Sequence, residues 1–230
     1  MQISESVAFV TGANRGLGKA FTDALVARGA TTVYAAARNP DTITDPRLTP
    51  VRLDVTDPAS VAAAASLAGD ADLVINNAGI SRGGSVLGAD VADVRAQLET
   101  NLLGPLEVTR AFAPVLARNG GGALVNVLSA LSWMSFSSLA GYSASKAAAW
   151  SLTNATRAEL RGQGTLVVGV HMGYVDTDMA ASVEGPKADP VDVVTQVLDA
   201  VEAGQDEVLG DDVARQVRAA LSGPVADLAV

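Results

Sequence analysis

Short apolar runs alternate along the chain with longer segments in which apolar residues recur every three or four positions. Val7-Ala8-Phe9-Val10 is the first run, and it breaks into Thr11-Gly12-Ala13-Asn14-Arg15-Gly16-Leu17-Gly18. Leu17, Ala20, Phe21, Ala24 and Leu25 then fall at i, i+3, i+4, i+7 and i+8, the stripe of a helix with one buried face. Gly29 stops that helix. Thr31–Ala36 reads as a second strand, Thr49–Leu53 as a third, Asp72–Ile75 as a fourth and Ala123–Leu128 as a fifth. Thr165–Val170 and Glu207–Leu209 complete the set.

The intervening segments carry helix signals. Asp57 precedes Pro58 and Asp189 precedes Pro190, each a cap followed by a proline suited to the first turn. Asp90 to Asn119 reads as one long helix with Val91, Val94, Leu98 and Leu102 on its stripe and a kink at Pro105. Another helix runs from near Tyr142 to about Gly162. Val194, Val197, Leu198 and Val201 face inward on the next, and Val213, Val217, Ala220 and Leu221 mark a last short one. Strands alternating with helices predict a Rossmann-type, doubly wound parallel α/β sheet of about seven strands with helices on both faces. Without a linker, repeat or low-complexity segment, residues 1–230 are expected to form a single domain.

Composition narrows the function. A net charge of −9 disfavours nucleic acid and anionic membranes as partners, since both need a basic face. No stretch approaches the length of a membrane span. The start, Met1-Gln2-Ile3-Ser4-Glu5-Ser6, lacks the basic region of a secretory leader, so a soluble cytoplasmic protein is expected. With no cysteine and only His171, disulfides, thiolate sites and a histidine metal cluster are excluded, and no metal is expected.

Two features carry candidate chemistry. Glycines between a strand and an amphipathic helix let backbone approach a pyrophosphate at the helix N-terminus. The order here is Gly12-x-x-x-Gly16-x-Gly18, and Ala13 and Ala20 stand where a phosphate-loop motif needs Gly and Ser or Thr. Further on, Tyr142 and Lys146 lie four apart in a helical run, on one face. A neighbouring ammonium is expected to lower the phenol pKa, letting Tyr142 trade a proton with a substrate oxygen.

Cofactor choice is partly readable. An acidic residue about twenty positions past the glycines binds the 2′-hydroxyl of NAD, whereas arginine accommodates the 2′-phosphate of NADP. Arg38 stands at that distance from Gly18, and Arg15 lies beside the turn. Both favour NADP(H), with Asp41 as the competing acidic residue.

Together these motifs make the chain resemble the short-chain dehydrogenase/reductase family over essentially its whole length. The matching elements are Thr11-Gly12-x-x-x-Gly16-x-Gly18, Asp54-Val55, Asn76-Asn77-Ala78-Gly79, Asn101, Ser129, Tyr142-x-x-x-Lys146 and Gly173-Tyr174-Val175-Asp176-Thr177. The resemblance implies hydride transfer between a nicotinamide cofactor and a small carbonyl or alcohol. Tyr142 would protonate the substrate oxygen, Ser129 would donate to it, and Lys146 would hold the ribose hydroxyls. Asn101 would hold a water that relays protons from Lys146 to solvent. The phosphate side would be Gly12, Asn14, Arg15, Gly16, Leu17 and Gly18, with Arg38 at the ribose. Asp54, Val55, Asn77, Ala78 and Gly79 would line the adenosine side, with Asn76 satisfying backbone groups. Val175 and Thr177 would reach the nicotinamide.

Departures from the family pattern bear on the site. Met172 stands where Pro is usual, which puts stiffness beside the nicotinamide in question. Asp178 to Ala188 is short for a lid. Trp133, Met134, Phe136 and Leu139 form an apolar wall if they face the pocket, and His171 packs at a strand end. The C-terminal end lacks the usual glycine-rich ending, so a homodimer through the Asp90–Asn119 and Tyr142–Arg161 helices is expected ahead of a homotetramer. An NADPH-dependent reductase is the leading expectation. An NAD-dependent alcohol dehydrogenase and a non-catalytic NADP(H)-binding sensor are the alternatives.

Overall fold

β1 (Val7–Thr11) pairs in parallel with β2 (Thr32–Ala37) on one side and β4 (Leu73–Asn76) on the other. β3 (Thr49–Arg52) extends the sheet beyond β2, while β5 (Ala123–Val127), β6 (Leu166–His171) and β7 (Glu207–Leu209) extend it beyond β4. The order β3-β2-β1-β4-β5-β6-β7, parallel throughout, is the doubly wound arrangement that the alternating pattern predicts. This computed structural model describes residues 1–228.

The strands are apolar on both sides because both faces are covered. Ala8, Val10, Leu73, Ile75, Val125 and Val168 point to one face, where α1 (Gly16–Ala27) and α6 (Pro190–Ala203) deliver Phe21, Leu25, Val194 and Leu198. Phe9, Val74, Leu124 and Val167 point to the other. There α2 (Pro58–Leu67), α4 (Gly104–Arg118) and α5 (Ala140–Leu160) contribute Val61, Val108, Phe112 and Leu160. Asp57 and Asp189 cap their helices as expected, accepting from the N–H of Ala59 and Val191. α7 (Asp212–Ala220) follows β7 and buries Ala214, whereas Val213 is exposed.

The long helix expected over Asp90–Asn119 is two helices. α3 (Val91–Leu98) passes through a π-turn at Glu99–Leu103 into α4, so the break falls before Pro105. Gln97 of α3 and Asn101 of the π-turn are buried, while Val91 lies largely in solvent. The reason is packing direction: α3 lies on α5, and its polar residues hold the chain after β4. Gln97 Oε1 accepts from Arg82 N, and Asn101 both accepts from Ile80 N and donates to Ile80 O.

β1 and β4 are neighbours whose following connections wind away from each other, so their C-terminal ends open a crevice where such sheets bind ligands. α4 anchors the wall behind it through Phe112, fully buried with its ring centroid 4.5 Å from that of Phe9. Phe112→Ala is therefore expected to cost about 3–5 kcal/mol, read as a lowered midpoint in urea unfolding. A loss under about 1 kcal/mol would place Phe112 outside the core.

Candidate active site

The turn from β1 into α1 is built for close backbone approach. Gly12 and Gly16 have φ of +65° and +52°, values that disfavour any side chain. A Cβ on Gly18 would sit 2.1 Å from the Gly12 carbonyl oxygen, so only glycine lets α1 start so near the strand. Thr11 Oγ1 accepts from the N–H of both Asn77 and Ala78. Asn77 Nδ2 in turn donates to the carbonyls of Thr11 and Gly12. The backbone duty expected of Asn76 thus belongs to Asn77. Asn76 instead donates to Asn126, which donates to Thr153, in a buried chain behind the sheet ends.

Over this turn opens a cleft of about 1500 Å³. Gly12, Asn14, Arg15, Gly16, Leu17 and Gly18 line its floor, and Arg38, Asp54 and Val55 line one wall. Asn77, Ala78, Gly79, Val175 and Thr177 line it further in, where it reaches Ser129, Tyr142 and Lys146. Asn101 alone among the expected site residues stands outside that wall. Its amide is fully used, donating to Ile80 O and Ser145 Oγ. Asn101 instead borders a separate small cavity with Asn76, Asn126 and Thr153.

The arginines differ in their surroundings. Arg15 is exposed and reaches across to Asp178 at 3.6 Å, a surface pair of small energetic weight. Arg38 follows the end of β2, is exposed, and makes no ion pair among the described residues. Thr56, through its hydroxyl and N–H, holds Asp54 below the usual carboxylate value, and Arg38 adds to that effect. Asp41 lies outside the cleft lining, whereas Asn39, beside Arg38, is part of it.

Ser129 follows β5 and caps a short 3-10 turn, its Oγ accepting from Leu131 N at 3.1 Å. Tyr142 lies in the first turn of α5 and lines the same cleft wall as Ser129, whose hydroxyl also lies 3.5 Å from the Met172 carbonyl as donor. Burial pushes Tyr142 up to about 12, more than the neighbouring Ser129 hydroxyl brings it down. The expected depression by Lys146 is therefore absent from the protein alone. Lys146 Nζ is 5.8 Å from the ring centroid and donates to Val127 O at 2.8 Å. Desolvation lowers Lys146 to about 8, so it stays mostly protonated at neutral pH.

Met172 does not loosen the segment after β6. Its carbonyl accepts from Ala130 N, and Gly173 N donates to Asp211 Oδ2 at 2.7 Å. Asp211 also caps α7 through Ala214 N, so two hydrogen bonds replace the constraint of a proline ring. Beyond, Asp176 N and Ala188 N bond to Ala188 O and Tyr174 O, folding the short lid segment back on itself. Met134, Phe136 and Leu139 line the substrate end, but Trp133 is buried and stacks on His171 with centroids 3.7 Å apart. The sequence reading missed Ile80, Arg82, Lys187, Asp211 and Val213, which also line the cleft. They sit on loops and a helix start whose positions no periodicity encodes.

A glycine turn at the switch point of a doubly wound sheet, facing a tyrosine, a serine and a buried lysine, defines a dinucleotide-binding oxidoreductase fold. The chain belongs to the short chain dehydrogenase family, whose model matches residues 6–188. It is similar to a solved short chain dehydrogenase from Burkholderia cenocepacia J2315 in complex with NADP. That match has 44% identity, covers 99% of this chain and 97% of that one, and has a TM-score of 0.95. An NADPH-bound carbonyl reductase from chicken fatty liver is 29% identical, with 86% and 91% covered and a TM-score of 0.79. Trans-4-hydroxycyclohexanecarboxylate dehydrogenase of Sinomonas cyclohexanicum is 33% identical over 80% of this chain and 77% of its own length. No described helix is long and apolar enough to cross a membrane.

The lowered Lys146 pKa fixes a sign for stability. Between about 8 in the folded protein and 10.5 unfolded, the unfolded chain binds the extra proton. Stability contributed by this group therefore rises with pH through that window. Urea unfolding of the cofactor-free protein is expected to show this rise between about pH 8 and 9.5, and Lys146→Met is expected to abolish it. An unchanged slope in Lys146→Met would refute a depressed Lys146.

Proposed function

We propose that this chain is an NADPH-dependent carbonyl reductase, reducing a ketone or aldehyde to an alcohol, reversibly, with Tyr142 as the general acid. The observation that carries this reading is the convergence of Ser129, Tyr142 and Lys146 on the cleft's inner end, with the phenol kept protonated by burial. A phenol at about 12 holds its proton until a developing alkoxide, itself strongly basic, demands it.

The residues fit a nicotinamide dinucleotide. The Gly12–Gly18 turn admits a pyrophosphate where a Cβ at Gly18 would not allow the backbone fold. Asp54, Val55 and Asn77 to Gly79 would flank the adenosine, and Val175 and Thr177 the nicotinamide. Arg38, just past the end of β2 and in no ion pair among the described residues, and Arg15, weakly paired, would hold a 2′-phosphate. Relatives named as NADP- and NADPH-bound support this choice. When bound, the cofactor supplies the hydride.

Ser129 Oγ donates to the substrate oxygen as charge develops there, and Tyr142 Oη delivers the proton. Lys146 Nζ orients ribose hydroxyls and, while charged, eases proton loss from the phenol. Pro105 has no N–H to give the Asn101 carbonyl four residues earlier, and that carbonyl would hold the relay water. Met134, Phe136 and Leu139 suit an uncharged, apolar carbonyl substrate. Exposed Leu103 and half-buried Leu102 of the π-turn, with half-buried Leu106 of α4 and Leu152 of α5, leave apolar side chains on this outer surface, consistent with a homodimer.

Consumption of NADPH and of NADH is to be followed over aliphatic and aromatic ketones, aldehydes and quinones. Tyr142→Phe is expected to lower kcat by about 10²–10⁴-fold while NADPH still binds. Full activity in that variant would refute the acid. Arg38→Ala is expected to lower kcat/KM for NADPH by about 10–100-fold and leave NADH nearly unchanged. An equal loss for both cofactors, or a wild-type preference for NADH, would overturn the assignment of NADPH.

A further inference from the structure

The only histidine of the chain lies directly behind the serine of the proposed site. His171 ends β6, is 1% exposed, and its Nδ1 is 3.1 Å from the Ser129 carbonyl oxygen. A carbonyl can only accept, so Nδ1 carries the hydrogen. The backbone ladder between β5 and β6 continues on either side, from Leu128 N to Val170 O and from Ala130 N to Met172 O. Ser129 is thus held by its neighbours' backbone and, at its own carbonyl, by Ser132 N and the imidazole.

The ring itself is clamped. Trp133 stacks on it with a 15° interplanar angle, Trp150 meets Trp133 edge-on at 6.1 Å, and Arg218 of α7 sits 5.5 Å from the Trp133 ring. Glu207 fixes Arg218 at 3.1 Å. These contacts form one continuous stack from the surface of α7 to the backbone of Ser129. Burial pushes the His171 pKa down to about 4, so the ring is neutral with a single N–H to give.

We propose that His171 is a positioning residue that aims the Ser129 hydroxyl at the substrate oxygen, holding the serine backbone through Nδ1–H. The proposal rests on the role of Ser129 given above. Displacement of a catalytic group by a fraction of an ångström is costly in turnover and nearly silent in cofactor binding. His171→Asn keeps an amide N–H at the reach of Nδ1, whereas His171→Leu keeps bulk without a donor.

One readout needs no substrate, because a single histidine gives a single set of ring signals. ¹⁵N-histidine spectra of the intact protein from about pH 5.5 to 8.5 are expected to show one non-titrating Nδ1–H tautomer. The Nε2–H tautomer overturns the proposal. In NADPH-driven reduction of the ketone that wild type turns over best, His171→Leu is expected to lower kcat about tenfold or more. NADPH affinity should stay within about twofold, and His171→Asn should recover most of the loss. In a Ser129→Ala background, His171→Leu should add less than about twofold, as expected for residues acting as a unit. Equal losses in the Asn and Leu variants, or a full further loss on top of Ser129→Ala, overturn the proposal. If the leucine variant does not fold, the spectrum and His171→Asn with and without Ser129→Ala decide. A fully active Ser129→Ala protein brings down the reading of Ser129 and this proposal with it. An impaired Ser129→Ala beside an unimpaired His171→Leu brings down the proposal alone.

Discussion

The structure depends on one close approach, where the ends of β1 and β4 are held together as their connections wind apart. Thr11 and Asn77 exchange hydrogen bonds across that point, and Gly18 presses its backbone onto the Gly12 carbonyl. The approach fixes the start of α1, and with it a row of backbone N–H groups facing the cleft. Everything that lines the cleft is placed relative to this junction. A side chain at Gly18 would push α1 away and open the turn.

Burial governs the electrostatics deeper in. A phenol and an ammonium share the inner end of the cleft, and desolvation moves each toward its neutral form. The pair is therefore not a preformed ion pair in the protein alone. A protonated phenol suits delivery of a proton, and a lysine near 8 remains mostly charged at neutral pH. Keeping the phenol neutral limits the cost of burying it.

The wall of the site is tied to parts of the chain far away in sequence. The π-turn at Glu99–Leu103 lets Asn101 bond to Ile80 and Ser145 while α4 still packs Phe112 on the sheet. Asp211 bonds to Gly173 and caps α7, so the helix after the last strand braces the loop beside the site. Ser135 N bonds to Leu228 O, a second tie between that C-terminal region and the Ser129–Tyr142 segment.

While Ser129 was legible only through the family resemblance, the sequence by itself determined the sheet, its winding, the glycine turn and the pairing of Tyr142 with Lys146 on one helix face. Each of these is local: a period of apolar residues, a cap, a breaker, or a motif whose spacing fits one turn or one helix face. Tertiary structure decided what depends on which face of an element meets which neighbour. It turned Gln97 and Asn101 inward while leaving Val91 in solvent, because α3 packs on α5 and holds a loop. It gave Asn77 the backbone bonds expected of Asn76, and took Trp133 out of the pocket wall to stack on His171. It also reversed the expected direction of the Tyr142 shift. Spacing reports that a charge is near, but only the folded chain sets how much water both groups have lost.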